Sequence, residues 1–255
     1  MRTSCLLSLL LVLGCGAEST STPAPDAGPA DVAVDSPDVT ETDDPGSPPV
    51  DVPPAPTPSP FGTIQGACDA PQILGGFAVN TFAFDGDPFS ADDLDADALA
   101  IFDEPNAGGS SKCSEIFSFV VLDHCLDADL YKTETGLAYD VAGSIADYAV
   151  DAGVERIGVS VTRAYKGPVV QEYSEEDAIT LLTKKLEGMA EATQNVTAND
   201  AWSRSLLHVW TLHAEWADVV GDALSTLPPE LKAGIAVVVT IETGTDFVVT
   251  DSCDD

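Results

Sequence analysis

The sequence predicts an α/β protein with a mixed β-sheet. Short stretches with alternating apolar residues, typical of strands, are interleaved with longer stretches of helical periodicity. Three strand-like stretches follow one another with tight turns between them, which indicates a meander. The apolar run Ile235–Glu242 is continuous, as in a central strand buried on both faces. The predicted order is α-β-β-β-α-β-α-β, which places helices on the faces of a mixed sheet.

Residues 1–14 have the layout of a signal peptide. A basic start at Arg2 precedes an apolar stretch and the small residue Gly14. The apolar stretch is about half the ~20 residues that a spanning helix needs. The run Val12-Leu13-Gly14-Cys15 resembles a bacterial lipobox, and this resemblance implies cleavage before Cys15 and a diacylglycerol on its thiol. The alternative is an ordinary secretory signal with a chance cysteine.

The implied location is outside the cytoplasm, on a bacterial membrane, at the periplasmic face or the cell surface. The anchor would be lipid alone, palmitate included, because two or more acyl chains hold a protein stably where one does not. Residues 15–60 contain clustered prolines and no Lys, Arg or aromatic residue. Such a segment buries too little apolar surface to offset its ordering entropy, so we expect a disordered stalk.

The chain is strongly acidic, with a formal net charge of −33. Residues 61–255 contain nine Lys and Arg residues against 34 Asp and Glu residues. Phosphate neutralisation supplies most nucleic-acid affinity, so this charge argues against a nucleic-acid partner. An acidic surface attracts divalent cations or basic partners, but it also serves solubility alone.

Residues 61–111 are expected to form an N-terminal extension of the domain. We predict a strand within Ile73–Phe84, an acidic and turn-rich stretch over Asp85–Asp97, and a loop over Asn106–Ser111. The core domain is expected to occupy residues 112–255.

The core begins with a predicted helix over Lys112–Asp127, whose apolar residues follow helical spacing. A strand over Ile116–Leu122 is the competing interpretation, since Phe and Val favour strands. The meander follows, with predicted strands over Leu130–Val141, Ser144–Val150 and Val154–Ala164.

The second half of the core alternates helices and strands. Ser174 is a predicted N-cap, with three acidic residues in the following turn. A strand over Ser205–Thr211 and a helix over Ala214–Thr226 precede the central strand. A last short strand is predicted over Phe247–Thr250.

Four cysteines remain in the mature domain, an even number that predicts two disulfides in an oxidising compartment. They are Cys68, Cys113, Cys125 and Cys253. On one helix, Cys113 and Cys125 lie about 18 Å apart, whereas a disulfide needs Cα atoms roughly 5.5 Å apart. Each must then bond to Cys68 or Cys253, which leaves two connectivities. We favour Cys68–Cys125 with Cys113–Cys253.

Segment 112–242 resembles the core of the PD-(D/E)xK nuclease-like superfamily, which has a restriction-endonuclease-like fold. The resemblance implies an acid on the first helix, here Glu115, and an Asp on the second meander strand, here Asp147. The superfamily places an acid and a lysine on the third strand, where this chain has Ser160 and Thr162. Lys184 on the next helix, or Arg163, would supply a cation in their place.

Five phrases of the sequence also look like those of an uncharacterised family with this architecture. They are Lys132-Thr133-Glu134, Ile145-Ala146-Asp147-Tyr148, Ile157–Ala164, Leu181–Leu186 and Leu207-His208-Val209-Trp210.

Three functions are compatible with these patterns. Metal-dependent phosphodiester cleavage needs at least two carboxylates, so Ser160 favours a domain that binds a partner without catalysis. The alternative is a variant hydrolase that uses Glu115 and Asp147, with Mg²⁺. A third is a Ca²⁺-stabilised surface domain whose ligands come from the acidic stretch. That site would use Asp85, Asp87 and Asp93.

Overall fold

The computed structural model of the protein describes residues 55–86, 89–105, 111–169 and 172–253. The predicted signal peptide, Cys15 and residues 16–54 of the predicted stalk lie outside these ranges. The described residues form an α/β domain with an eight-stranded mixed sheet, so the predicted α/β class is confirmed. None of the helices in these ranges is long and apolar enough to cross a membrane.

The sheet has the strand order β1-β2-β3-β8-β7-β6-β5-β4. The four central strands, β3, β8, β7 and β6, run parallel to one another. Antiparallel pairs flank them, with β1 and β2 on one side and β5 and β4 on the other. Strand β8 is central, as predicted. Strand β1 joins the sheet from the range assigned to the stalk. The strands are β1 (Thr57–Ser59), β2 (Gly62–Gly66), β3 (Phe77–Phe84), β4 (Ala128–Thr133), β5 (Tyr148–Ala152), β6 (Glu155–Arg163), β7 (Arg204–Thr211) and β8 (Ile235–Thr243).

Helices cover both faces of the sheet. Successive residues of a strand point to opposite faces, and β7 shows the consequence. Leu206 and Trp210 lie in the core that contains α3, whereas Leu207 and Val209 lie in the core that contains α4 and α5. The helices are α1 (Ala70–Ile73), α2 (Ala96–Asp103), α3 (Lys112–Leu126), α4 (Glu175–Asn195), α5 (Ala214–Thr226) and α6 (Phe247–Thr250).

The long helices begin and end at residues with a local reason to do so. Ser174 caps α4 with a reciprocal capping box, in which the Ser174 hydroxyl accepts from the N–H of Asp177 and the Asp177 carboxylate accepts from the N–H of Ser174. Helix α3 ends at Asp127, which adopts the left-handed conformation with φ of 53°. The predicted helix over Lys112–Asp127 is therefore confirmed, and the competing strand is not formed.

The last predicted strand, Phe247–Thr250, is wrong, because these residues form the short helix α6. The carboxylate of Glu242, at the end of β8, accepts hydrogen bonds from the N–H groups of Val248 and Val249 at 3.0 and 2.9 Å. The buried carboxylate of Glu242 thus accepts hydrogen bonds from N–H groups that a strand would donate to a neighbouring strand. The apolar residues of α6 pack inward while the backbone turns.

The meander strands are shorter than predicted. The first was expected over Leu130–Val141, but β4 ends at Thr133 and a 3₁₀ turn follows. Leu137 is buried and Tyr139 forms an isolated bridge with Val196 at the end of α4, whereas Val141 is exposed, so this alternation does not mark a strand. The second predicted strand, Ser144–Val150, begins only at Tyr148.

The N-terminal extension contains the predicted strand. The strand expected within Ile73–Phe84 forms over Phe77–Phe84, and α1, which Asp69 caps, lies just before it. The turn-rich stretch Asp85–Asp97 contains a 3₁₀ turn and the start of α2, where Asp95 accepts hydrogen bonds from two backbone N–H groups. Residues 106–110 of the predicted loop lie outside the described residues.

Two disulfides join these elements. Cys68 bonds to Cys125 and Cys113 bonds to Cys253, which is the favoured pairing of the two left open by the sequence. The first ties the start of α1 to the end of α3. The second ties the residues after α6 to the start of α3.

Candidate functional site

The acidic residues singled out from the sequence lie near each other at one edge of the α3–β6 packing. Glu115 is in the first turn of α3, and its carboxyl accepts a hydrogen bond from the Ser111 hydroxyl at 2.5 Å. Ser111 holds the N-cap position but uses its hydroxyl on Glu115 rather than on the backbone. Asp147 immediately precedes β5 and is half-buried.

Asp147 is fixed by β6. Its Oδ2 accepts one hydrogen bond from the Ser160 hydroxyl at 3.0 Å and another from the backbone N–H of Val161. Its own N–H donates to the carbonyl of Val159 at 2.9 Å. The carboxylate therefore joins the entry of β5 to the end of β6.

The cation at this edge is Lys185, and Lys184 is exposed one position earlier on α4. The ammonium of Lys185 donates to the Val161 carbonyl at 2.7 Å and to the Ser160 hydroxyl at 3.3 Å. The helical spacing of α4 is the sequence signal that could have identified Lys185 as this cation. Buried Leu182 and Leu186 define the inner face of α4, and Lys185 lies three residues after Leu182, at the edge of that face.

Burial and like charge set the protonation state of Glu115. Removal of its carboxyl from water raises its pKa to about 8, and the negative charge of Asp147 acts in the same direction. The Ser111 hydroxyl and the Lys185 charge oppose the rise. Glu115 is therefore mostly protonated at neutral pH, so the pair carries close to one negative charge.

A cleft of about 400 Å³ opens beside Lys185, between α3, the end of β6, α4 and α6. Its lining is polar and cationic, with Val161, Tyr165 and Val249 completing the wall. None of the described residues that line it is acidic. The hydrophilic lining residues are Ser111, Ser114, Thr162, Arg163, Lys185 and Thr250.

The far wall of the cleft is held by α6. The Arg163 guanidinium donates to the Val249 carbonyl at 3.1 Å, and the Asp251 carboxylate accepts from the N–H of Cys113 at 2.9 Å. The Cys113–Cys253 disulfide closes the same contact covalently. The α6 wall is therefore fastened to both α3 and β6.

The acidic stretch does not gather into a metal site in the described part of the chain. Within these ranges there is no group of three or more His, Cys, Asp or Glu side chains placed to hold a metal ion. Asp93 lies in a 3₁₀ turn, and Asp95 caps α2. The carboxylate of Asp97 accepts from the N–H of Leu130 at 2.9 Å. Asp87 lies outside the described residues, so the proposed calcium ligands Asp85, Asp87 and Asp93 cannot be placed as a set.

Comparison with known proteins yields one similarity of note. A protein of Dictyostelium discoideum named AAC-rich mRNA clone AAC4 protein is 37% identical to the chain over 158 residues. The matched region is 58% of this chain and 22% of that protein, so the chain spans less than a quarter of the relative's length. The relative's name states no activity. No known family's sequence profile matches the chain, and no solved structure matches it.

Proposed function

We propose that this protein is an exported, lipid-anchored protein whose α/β domain binds a ligand at the cleft beside Lys185 and does not catalyse a reaction. The lipid would be carried by Cys15 after removal of residues 1–14, and the following segment would serve as a stalk. Two disulfides support an oxidising compartment, where such bonds persist. Labelling with a radioactive fatty acid tests the anchor, since label that persists in Cys15→Ser would exclude that residue.

We also propose that the core is a degenerate nuclease-like fold of the restriction-endonuclease type. Helix α3, the strands β4, β5 and β6, then α4 and β7 follow the helix, meander, helix and strand of that superfamily. Glu115 lies on α3, where the resemblance assigns an acid, whereas Asp147 lies just before β5 rather than on that strand. Ser160 and Thr162 stand where an acid and a lysine would be expected.

The contacts of Lys185 are the observation that best supports a non-catalytic function. Its ammonium bonds to the carbonyl of Val161 and the hydroxyl of Ser160, on the strand beside Asp147. A cation belonging to the chain therefore occupies the acceptors next to the carboxylate. Metal-dependent hydrolysis relies on at least two carboxylates to hold the ion, and Ser160 stands on the third strand where the resemblance assigns an acid.

A cleavage assay tests this function. The full chain in detergent micelles is incubated with single- and double-stranded DNA and RNA in Mg²⁺ or Mn²⁺. We expect no cleavage, because the acidic surface repels phosphate backbones and the second carboxylate is missing at Ser160. Cleavage that disappears in Asp147→Ala and persists in the exposed control Asp129→Ala would overturn the proposal.

One observation favours a second candidate, a variant phosphodiester hydrolase. The charge of Asp147 acts on Glu115, and the charge of Lys185 acts on Glu115 as well, so two acids and a cation share one neighbourhood. In this candidate Glu115 and Asp147 would hold Mg²⁺, with Lys185 or Arg163 close to the substrate. The same assay decides between the two candidates.

A further inference from the structure

We propose that the cleft beside Lys185 binds a small molecule through an oxyanion group, either a carboxylate or a phosphate. The proposal rests on the proposed function and names the chemistry of its ligand. Lys185 would hold the oxyanion, and the hydroxyls of Ser111, Thr162 and Thr250 would complete the polar lining.

The residues that line the cleft differ in charge from the chain as a whole. The sequence contains 43 Asp and Glu residues against ten Lys and Arg, yet the described residues that line the cleft include two cations and no acid. A volume of about 400 Å³ lies within the range of small-molecule sites, ~300–1,000 Å³. A duplex or a long peptide would instead meet the acidic surface outside the cleft.

The ammonium of Lys185 has capacity for another acceptor. Its two hydrogen-bond partners, the Ser160 hydroxyl and the Val161 carbonyl, are neutral. Among the residues that the structure describes, no carboxylate lies within ion-pair distance of Lys185. By contrast, Lys132 and Lys166 each pair directly with an Asp. An ammonium has three donors, so a third remains for a ligand.

Two acids lie near the cleft without lining it. Asp147 and Lys185 share the Ser160 hydroxyl, and the carboxylate of Asp147 also accepts from the N–H of Val161, so its charge offsets part of the Lys185 charge. The charges of Asp147 and Lys185 both act on Glu115. Screening at physiological ionic strength confines the effect of more distant acids to about 8 Å. The ligand would therefore be recognised by the remaining donor of Lys185 and by the hydroxyls of the lining.

The test is the melting temperature of the full chain in detergent micelles, titrated with inorganic phosphate and, separately, with malonate. Sodium chloride holds the ionic strength constant. A ligand that binds the folded state raises the melting temperature, and the rise saturates. We expect a saturating rise with at least one probe, and the more effective probe identifies the group as phosphate or carboxylate.

Lys185→Gln and Lys184→Gln form a matched pair, because both remove one charge from adjacent positions of α4. Loss of a charge-assisted hydrogen bond weakens binding about tenfold or more, so Lys185→Gln should lower the affinity and Lys184→Gln should not. Should Lys185→Gln fail to fold, Thr162→Asp places a negative charge in the lining and should abolish the rise. No rise with either probe, or equal effects in the matched pair, would overturn the proposal.

The outcomes distinguish a failure of this inference from a failure of the proposed function. An unchanged melting temperature together with no cleavage of nucleic acid overturns the oxyanion ligand and leaves the non-catalytic function standing. Cleavage that depends on Asp147 overturns the non-catalytic function, whatever the probes do.

Discussion

Glu115 is a residue whose chemistry the fold changes strongly. Burial and the charge of Asp147 raise the pKa of its carboxyl from 4.5 to about 8. The folded state therefore holds the proton more tightly than the unfolded state does. This stabilisation is fully present below about pH 4.5 and is lost as the pH rises through about 8.

Replacing Glu115 with Gln should remove this pH dependence. Between pH 5 and pH 9 we expect the free energy of unfolding of the wild type to fall, relative to that of Glu115→Gln, by on the order of 2 kcal/mol. That figure is below the full shift because water still reaches part of the side chain. Urea denaturation at pH 5, 7 and 9 measures it. The exposed control Glu187→Gln should parallel the wild type, and a parallel curve for Glu115→Gln would contradict the assignment.

At this scale the structure brings Glu115, Asp147 and Lys185 into one neighbourhood, whereas the sequence analysis named Lys184 as the cation. Glu115 and Asp147 were named from the nuclease-like resemblance, and their roles stay predictions. Lys184 and Lys185 are adjacent, and only the orientation of α4 separates them. The buried stripe of Leu182 and Leu186 was sufficient to favour Lys185, since it lies at the edge of that stripe.

Helix α6 is the element that depends most on contacts distant in sequence. Its first N–H groups donate to Glu242, and its end is joined to the start of α3 through Asp251 and the Cys113–Cys253 disulfide. Burial raises the pKa of Glu242, and the backbone hydrogen bonds oppose that rise. This short helix therefore depends on tertiary contacts rather than on its own length.

Removing the Cys113–Cys253 disulfide should loosen this wall of the cleft. The bond closes a separation of 140 residues, and loops of that length contribute about 5 kcal/mol in the chain-entropy account. We expect Cys113→Ala/Cys253→Ala to lower the melting temperature by about 10 °C in calorimetry. The matched variant Cys68→Ala/Cys125→Ala, which opens a separation of 57 residues, should lower it less. The reverse order would contradict this account of α6.

Periodicity predicted the elements that one local pattern determines, and it failed where two patterns compete. The stripes of α3, α4 and α5 and the run in β8 were sufficient to identify them. The alternation at Leu137 and Tyr139 resembled a strand, yet it reflects packing against the end of α4. Phe247–Thr250 is rich in strand-forming residues, but Glu242 supplies acceptors that favour a helical turn.

Across the whole molecule, acidic charge is distributed unevenly. We expect the net charge of −33 to repel nucleic acids and anionic lipid surfaces, while the cleft between α3 and α6 presents Lys185 and Arg163 without a lining acid among the described residues. A lipid anchor and a stalk would carry this cleft clear of the membrane. The molecule would then present one cationic recess to small solutes while repelling large anions.

We propose that Lys185, a cation of the chain itself, serves beside Asp147 in place of a metal ion. A titration of the full chain with Mn²⁺, followed by the electron paramagnetic resonance signal of the free ion, tests this role of Lys185. We predict only weak binding to the acidic surface, equal in the wild type, in Asp147→Asn and in the exposed control Asp129→Asn. A stoichiometric micromolar site that is lost in Asp147→Asn and kept in Asp129→Asn would contradict the claim.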